Sequence, residues 1–298
     1  MGFLMSLLVV TKVMVLLSGE SFVFDSVLSG MYSSGLDSAE VKVFNINRNI
    51  DSGVIYLRNN LKKGDIVVLM GIESYNSYKK YVNGGGYKNY GIAILAMDRN
   101  LRNEIVSTGY LVGFDLLVSF SDKIKMIKDA FPDISKIAYF YTHKTSEDLD
   151  YLVNEAKSKG MNVVAIETSS KDEIKNNIKA LKTLKVQFLL LSLDPLFLSD
   201  RNFQFILKNA MKEKIPVWGE TRKYVAMGAV MGAEVSFSQL GSIAGDVINL
   251  IKGGEVNPGL FSTIQASSYS LFFNEKSIKK LKLKVREDVL KKAEKIYK

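Results

Sequence analysis

One histidine, His143, and no cysteine occur among the 298 residues. Those counts remove thiolate nucleophiles, disulfides and Cys-based zinc sites, and they force any histidine-dependent scheme through His143. His143 follows an apolar run at 137–141, where the ligands of open α/β sheets bind. No carboxylate stands at metal-ligand spacing from it and no nucleophile motif accompanies it, so the reading is a loop histidine rather than a catalytic one. The cluster Gly84-Gly85-Gly86 follows a helix-like stretch at 78–82 and precedes a strand. A phosphate loop has the opposite order and carries Gly-Lys-Ser/Thr, so the cluster reads as a turn.

The informative polar residues stand at the ends of apolar runs. They are Ser18-Gly19-Glu20-Ser21, Gly71-Ile72-Glu73-Ser74 and Met97-Asp98-Arg99 in the first half. In the second half they are Tyr141-Thr142, Ser192-Leu193-Asp194-Pro195 and Gly219-Glu220-Thr221. Residues of this kind beyond strand ends face a ligand crevice, and the helices that follow add free N–H groups with partial positive charge. The same residue types are ordinary helix N-caps. Together they describe polar walls without a catalytic set, which favours binding over turnover. The candidate ligand residues are Ser18, Glu20, Glu73, Ser74, Tyr75 and Asp98, with Tyr141, Thr142, Asp194 and Glu220. Glu73, Asp194 or Glu220 suit an amine. Tyr75 and Tyr141 suit an aromatic ring, or else core packing.

The elements that must hold these residues alternate. Short apolar runs at 13–17, 41–44, 66–70, 92–96, 137–141, 163–166, 186–193 and 215–218 read as strands buried on both faces. Between them lie helical stripes such as Ile50, Val54, Leu57 and Leu61, or Phe203, Ile206, Leu207 and Ala210. The fold class is α/β: two doubly wound parallel-sheet lobes, with Phe131-Pro132-Asp133 dividing the strands four and four. A hydrophobic fraction of 47% with 24% charged residues suits a globular chain. The net charge of +9 is spread over helices and interleaved with Glu and Asp. It reads as solvated helix faces rather than a nucleic-acid surface, and no nucleic-acid partner is expected.

Phe131-Pro132-Asp133, Leu193-Asp194-Pro195, Lys214-Ile215-Pro216-Val217-Trp218 and Phe273-Asn274-Glu275-Lys276 stand in one order, and as a collinear set they resemble the substrate-binding proteins of ABC transporters, a family with tryptophan- and phenylalanine-type binders. Phe131-Pro132-Asp133-Ile134-Ser135-Lys136-Ile137-Ala138 is similar to its "LPxAKKIG" segment, and Lys214-Ile215-Pro216-Val217-Trp218 to its "IPVF". Gly228-Ala229-Val230 with Gln239-Leu240-Gly241 resembles "GALA…YxxLG", and Phe273-Asn274-Glu275-Lys276 resembles the family's C-terminal segment. Leu193-Asp194-Pro195 matches as well, and upstream Gly109-Tyr110-Leu111-Val112-Gly113 resembles the "GNVTGVS" crossover.

The resemblance implies a type I periplasmic binding fold, with a small, amino-acid-like solute held between lobes that close on a hinge. It implies lobe 1 at 12–111 with 224–260 and lobe 2 at 112–223 with 261–298. It further implies an ABC permease as partner, or a membrane receptor if the chain is a sensor, and export from the cytoplasm. A non-enzymatic monomer without cofactor or metal is the expectation. Residues 1–11 then read as a signal remnant or a strand extension, and the lipoprotein cysteine of many relatives is absent. Two departures touch specificity. Ile72-Glu73-Ser74 stands where the family commonly has Thr-Pro-Ala or Gly-Thr, and Ser236-Phe237 stands in place of Asp-Tyr.

Overall fold

The computed structural model describes residues 12–95, 99–260, 263–265 and 268–298. In chain order the first elements are β1 (Val13–Leu17), α1 (Phe22–Ser33), β2 (Val41–Asn45), α2 (Ile50–Asn60), β3 (Ile66–Met70), α3 (Ile72–Asn83), β4 (Gly91–Leu95), α4 (Arg99–Thr108) and β5 (Leu111–Asp115). A second series follows: α5 (Phe120–Ala130), β6 (Lys136–Tyr141), α6 (Leu149–Ser158), β7 (Asn162–Glu167), α7 (Lys171–Thr183), β8 (Phe188–Leu191), α8 (Pro195–Leu198), α9 (Asp200–Lys212), β9 (Trp218–Gly219), α10 (Arg222–Met227) and β10 (Met231–Val235). The chain closes with α11 (Phe237–Lys252), β11 (Ile264–Gln265), β12 (Tyr269–Asn274), α12 (Glu275–Leu281), α13 (Glu287–Leu290) and β13 (Lys295–Tyr297).

Two compact units result. The first takes the chain to Leu117 plus Ser236–Ser268, and the second takes Val118–Val235 plus Tyr269–Lys298. The first unit holds one parallel sheet in the order β11-β5-β4-β3-β1-β2. Its strands β1, β3 and β4 are buried at every position, as their unbroken apolar sequences require. Helix α11 returns to this unit and packs on α1 at close range. A Cβ at Gly241 would stand 2.1 Å from the Val27 carbonyl oxygen, and one at Gly245 would stand 1.9 Å from Ser34 Oγ. Only glycine allows that approach.

In the second unit β7-β6-β8 form one parallel group and β13-β12-β10-β9 another, and a parallel bridge from Leu189 to Val217 joins them. Five strands of each unit therefore follow the same order: second, first, third, fourth, fifth. The apolar stripes behave as their spacing demands. Ile174, Ile178 and Leu181 of α7, and Phe203, Ile206 and Ala210 of α9, are all fully buried. Each buried aliphatic or aromatic side chain of this size stabilises the fold by about 1.5–3 kcal/mol.

The boundaries differ from those expected. Residues 112–117 belong to the first unit because β5 pairs with β4 along its whole length. Residues 224–235 belong to the second because β10 pairs with β9 and β12, and the last crossing falls after 268 rather than 260. Phe131-Pro132-Asp133 lies inside the second unit, after α5. Both β5 and β10 contain a glycine among short apolar residues, which weakens the strand pattern in sequence. The run at 186–193 shortens to β8, since Val186 N–H closes α7 on the Leu181 carbonyl instead of joining the sheet. The glycine cluster is the turn expected: Gly84 caps α3 and Gly85 has φ +87°.

Candidate functional site

A strand order in which the second strand lies on one side of the first and the third on the other makes the loops after the first and third strands diverge. That switch point is where open α/β sheets bind ligands. In the first unit it lies between the ends of β1 and β3, and Ser18 and Ser74 meet there. Ser18 is buried, and its Oγ accepts the Ser74 backbone N–H at 3.0 Å, satisfying one of the orphan donors of α3. Ser74 Oγ donates to the Gly71 carbonyl at 2.7 Å. Gly71 holds φ +93°, and a Cβ on it would press on Ser18 Oγ at 2.5 Å and on the Phe24 ring at 3.0 Å.

No side chain caps α3 at Gly71. Among the described residues the Ile72 and Glu73 N–H groups have no partner, and neither has the Glu73 carboxylate. Glu20 is exposed in the preceding loop, and Ser21 caps α1 by accepting from Val23 N–H. Phe22 and Ile72, the first residues of α1 and α3, are 65% and 43% exposed and add apolar surface to this edge. Tyr75 points the other way. It is buried in the core with Met14 and Leu69, and its hydroxyl donates to Glu104 Oε1 at 2.8 Å. Burial and that carboxylate push the Tyr75 phenol up from its ordinary pKa. Asp98 lies outside the described residues.

Arg48 is a component that strand-end reading passed over. Asn47 and Arg48, after β2, hold φ +50° and +61° in succession, a costly pair for residues with side chains. Asn45 Oδ1 accepts the Asn47 N–H at 2.9 Å, and Arg48 N–H donates to the Ser18 carbonyl at 2.6 Å. The Arg48 stem thereby lies over Gly19: its Cγ and Nε are 3.8 and 3.9 Å from where a Gly19 Cβ would stand. The guanidinium is in no salt bridge among the described residues. The signal available in sequence was the polar exit Asn47-Arg48-Asn49.

In the second unit the switch point lies between β6 and β8, and Thr142 and Asp194 meet there. Thr142 Oγ1 donates to Asp194 Oδ2 at 2.8 Å, while Asp194 Oδ1 caps α8 by accepting Leu196 N–H at 2.8 Å. Thr145 Oγ1 accepts the Thr142 N–H at 3.0 Å and donates to the buried Ser192 Oγ at 2.9 Å. Tyr141 is half-buried with its ring stacked 6.2 Å from that of Tyr139. Glu220 is committed elsewhere. It accepts from Lys123 Nζ at 2.6 Å, and the two side chains are only 8% and 3% exposed. The Lys123 ammonium also lies 5.2 Å from the Phe120 ring centroid. His143 is 94% exposed with Glu167 Oε1 at 4.0 Å. Among the described residues no three His, Cys, Asp or Glu side chains are grouped to hold a metal. The arrangement presents hydrogen-bond donors, a carboxylate, a guanidinium and apolar side chains, which is equipment for holding a ligand.

A family model described as ABC transporter substrate binding protein matches residues 12–297. No curated protein matches the chain significantly in sequence. Among solved structures, a ligand-free, open substrate-binding protein with adhesive properties from Clostridium difficile is 17% identical with a TM-score of 0.69, covering 92% of this chain and 95% of that one. A Streptococcus pneumoniae ABC domain in complex with L-Trp is 17% identical, TM-score 0.63, covering 96% and 99%. A substrate-binding protein from Desulfitobacterium hafniense in complex with Leu is 8% identical, TM-score 0.58, covering 84% and 86%. At these identities the likeness is one of fold, the type I periplasmic binding fold.

Proposed function

The chain belongs to the ABC transporter substrate-binding protein family, and from that premise we propose that it binds a small amino-acid-like solute at the carboxyl edges of its strands and presents it to a membrane permease. The observation that carries the ligand class is the set of unpartnered groups around β1 and β3. The Ile72 and Glu73 N–H groups with Arg48 suit a carboxylate, the Glu73 side chain suits an ammonium, and the exposed Ile72 suits an apolar side chain. The complexes of the Streptococcus and Desulfitobacterium proteins with Trp and Leu are consistent with this class. In the second unit, Tyr141, Thr142 and Asp194 stand at that unit's own switch point and remain ligand candidates there. In the first, Glu20 stays within the proposed site, and Ser18 and Ser74 act as the clasp that shapes the α3 N-terminus.

The role is carriage without catalysis, outside the cytoplasmic membrane. No helix among the described residues is long and apolar enough to cross a bilayer. The first test is thermal unfolding of the full chain against amino acids, amines, nucleosides and small organic anions. A ligand at about 100 times its Kd stabilises by about 2.7 kcal/mol. Loss of a charge-assisted bond should weaken an amino-acid hit roughly tenfold to a hundredfold in Glu73→Gln and in Arg48→Ala. A blank panel on folded protein, or a hit indifferent to both substitutions, would refute the zwitterion site.

A further inference from the structure

The opposite edge of the second unit carries a different feature. Helix α9 ends there before β9 begins, the turn at Gly228 leads into β10, and β12, antiparallel to β10, reaches the same edge at Asn274. A groove of about 650 Å³ opens between the end of α9 and α12. Met211 and Met227 are among its lining residues, with four lysines: Lys208 and Lys212 from α9, Lys276 and Lys280 from α12. Among the described residues, no acidic one lines it. The nearby carboxylate, Glu275, is engaged by Lys279 at 2.7 Å, and none of the four lysines is in a salt bridge among the described residues.

We propose that this groove docks an acidic amphipathic helix of a partner protein. The lysines come as two pairs, each four residues apart on its own helix, so each pair presents ammonium groups one helical turn apart. A helix laid in the groove with Glu or Asp at the same spacing on both flanks meets both pairs, and its apolar stripe meets the two methionines. Methionine side chains adapt to such a stripe without a fixed partner shape. A planar anionic bilayer would meet the lysines but leave the groove itself unfilled. The groove lies away from Thr142 and Asp194, so this docking is independent of the solute reading.

The test uses the full chain and fluorescence anisotropy with a labelled helical peptide that carries Glu at four-residue spacing on both sides of a Leu/Met stripe. Two controls accompany it: a scrambled peptide of the same composition, and phosphatidylglycerol vesicles. The designed peptide should bind about tenfold tighter than the scrambled one, and Lys208→Glu with Lys276→Glu should remove that advantage. A peptide with Lys in place of Glu should then bind the double variant. Circular dichroism checks folding, and Lys208→Gln with Lys276→Gln gives a milder second variant. Equal binding of the scrambled peptide, binding to vesicles alone, or the same loss from Lys175→Glu with Lys182→Glu on α7 would each overturn the proposal.

Discussion

Lys123 and Glu220 make the sharpest case at the scale of single residues. Two opposite charges with side chains 3% and 8% exposed stabilise each other only as a pair, because either one alone would be a charge out of water. Lys123→Met and Glu220→Gln should each cost about 3–5 kcal/mol in urea unfolding. The double variant Lys123→Met/Glu220→Leu should recover much of that loss; singles costing under about 1 kcal/mol would mean water reaches the pair. The same physics explains why sequence alone does not reveal the partner of Glu220. A glutamate after a strand reads as a ligand group, and the lysine that engages it lies 97 positions away. Glu104 gives a pH effect. Hydrogen bonds from Lys79 and then Tyr75 hold its carboxyl below the usual range. A depressed carboxyl contributes stability above its unfolded pKa and loses it as pH falls through the folded value. That contribution should be small, because Lys79 and Glu104 are 50% and 41% exposed.

Elements pack here through glycine as well as through apolar stripes. The α1–α11 contact runs over Gly30, Gly241 and Gly245, where a Cβ would collide with backbone or side-chain atoms at 2.0, 2.1 and 1.9 Å. Gly241→Ala should destabilise the first unit by about 1–3 kcal/mol or more, since the obstacle is the Val27 carbonyl and cannot rotate away. Gly35→Ala tests a different cost. Its Cβ would meet nothing within 4 Å, so any loss there reports φ +87° alone. Thermal unfolding of both variants separates packing from backbone strain; a Gly241→Ala protein as stable as the parent would mean that the helices part freely. The two glycines of α11, Gly241 and Gly245, weaken that helix in isolation, yet Leu240, Ala244, Val247 and Ile251, set at helical spacing, are all buried.

At the scale of the whole molecule, the second unit is discontinuous in the chain but continuous in its sheet. Val235, the last residue of β10, pairs with Tyr269, the first of β12. The 236–268 segment leaves and re-enters between two paired residues. Joining Val235 to Tyr269 through a two-residue Asn-Gly turn should therefore give a hairpin and a unit that unfolds cooperatively. Residues 118–235 alone should not, because Phe273 of the core and the β12 ladder would be missing. Cooperative urea unfolding of the shorter piece would refute this division of the core.

The alternating apolar runs and helical stripes determined the α/β class and most elements before β9, because burial on both faces of a parallel strand demands a local run of apolar residues. They also placed Ser18, Ser74, Thr142 and Asp194 at strand ends. Only the tertiary structure decided that Ser18 clasps Ser74, that Thr142 meets Asp194, that Tyr75 turns into the core and that Glu220 belongs to Lys123. Those outcomes depend on which strands become neighbours, and strand order is set by contacts between residues far apart in the chain, on which local periodicity is silent. The positions of the two returning segments, and with them the boundaries at 117, 235 and 268, follow from the same long-range pairing.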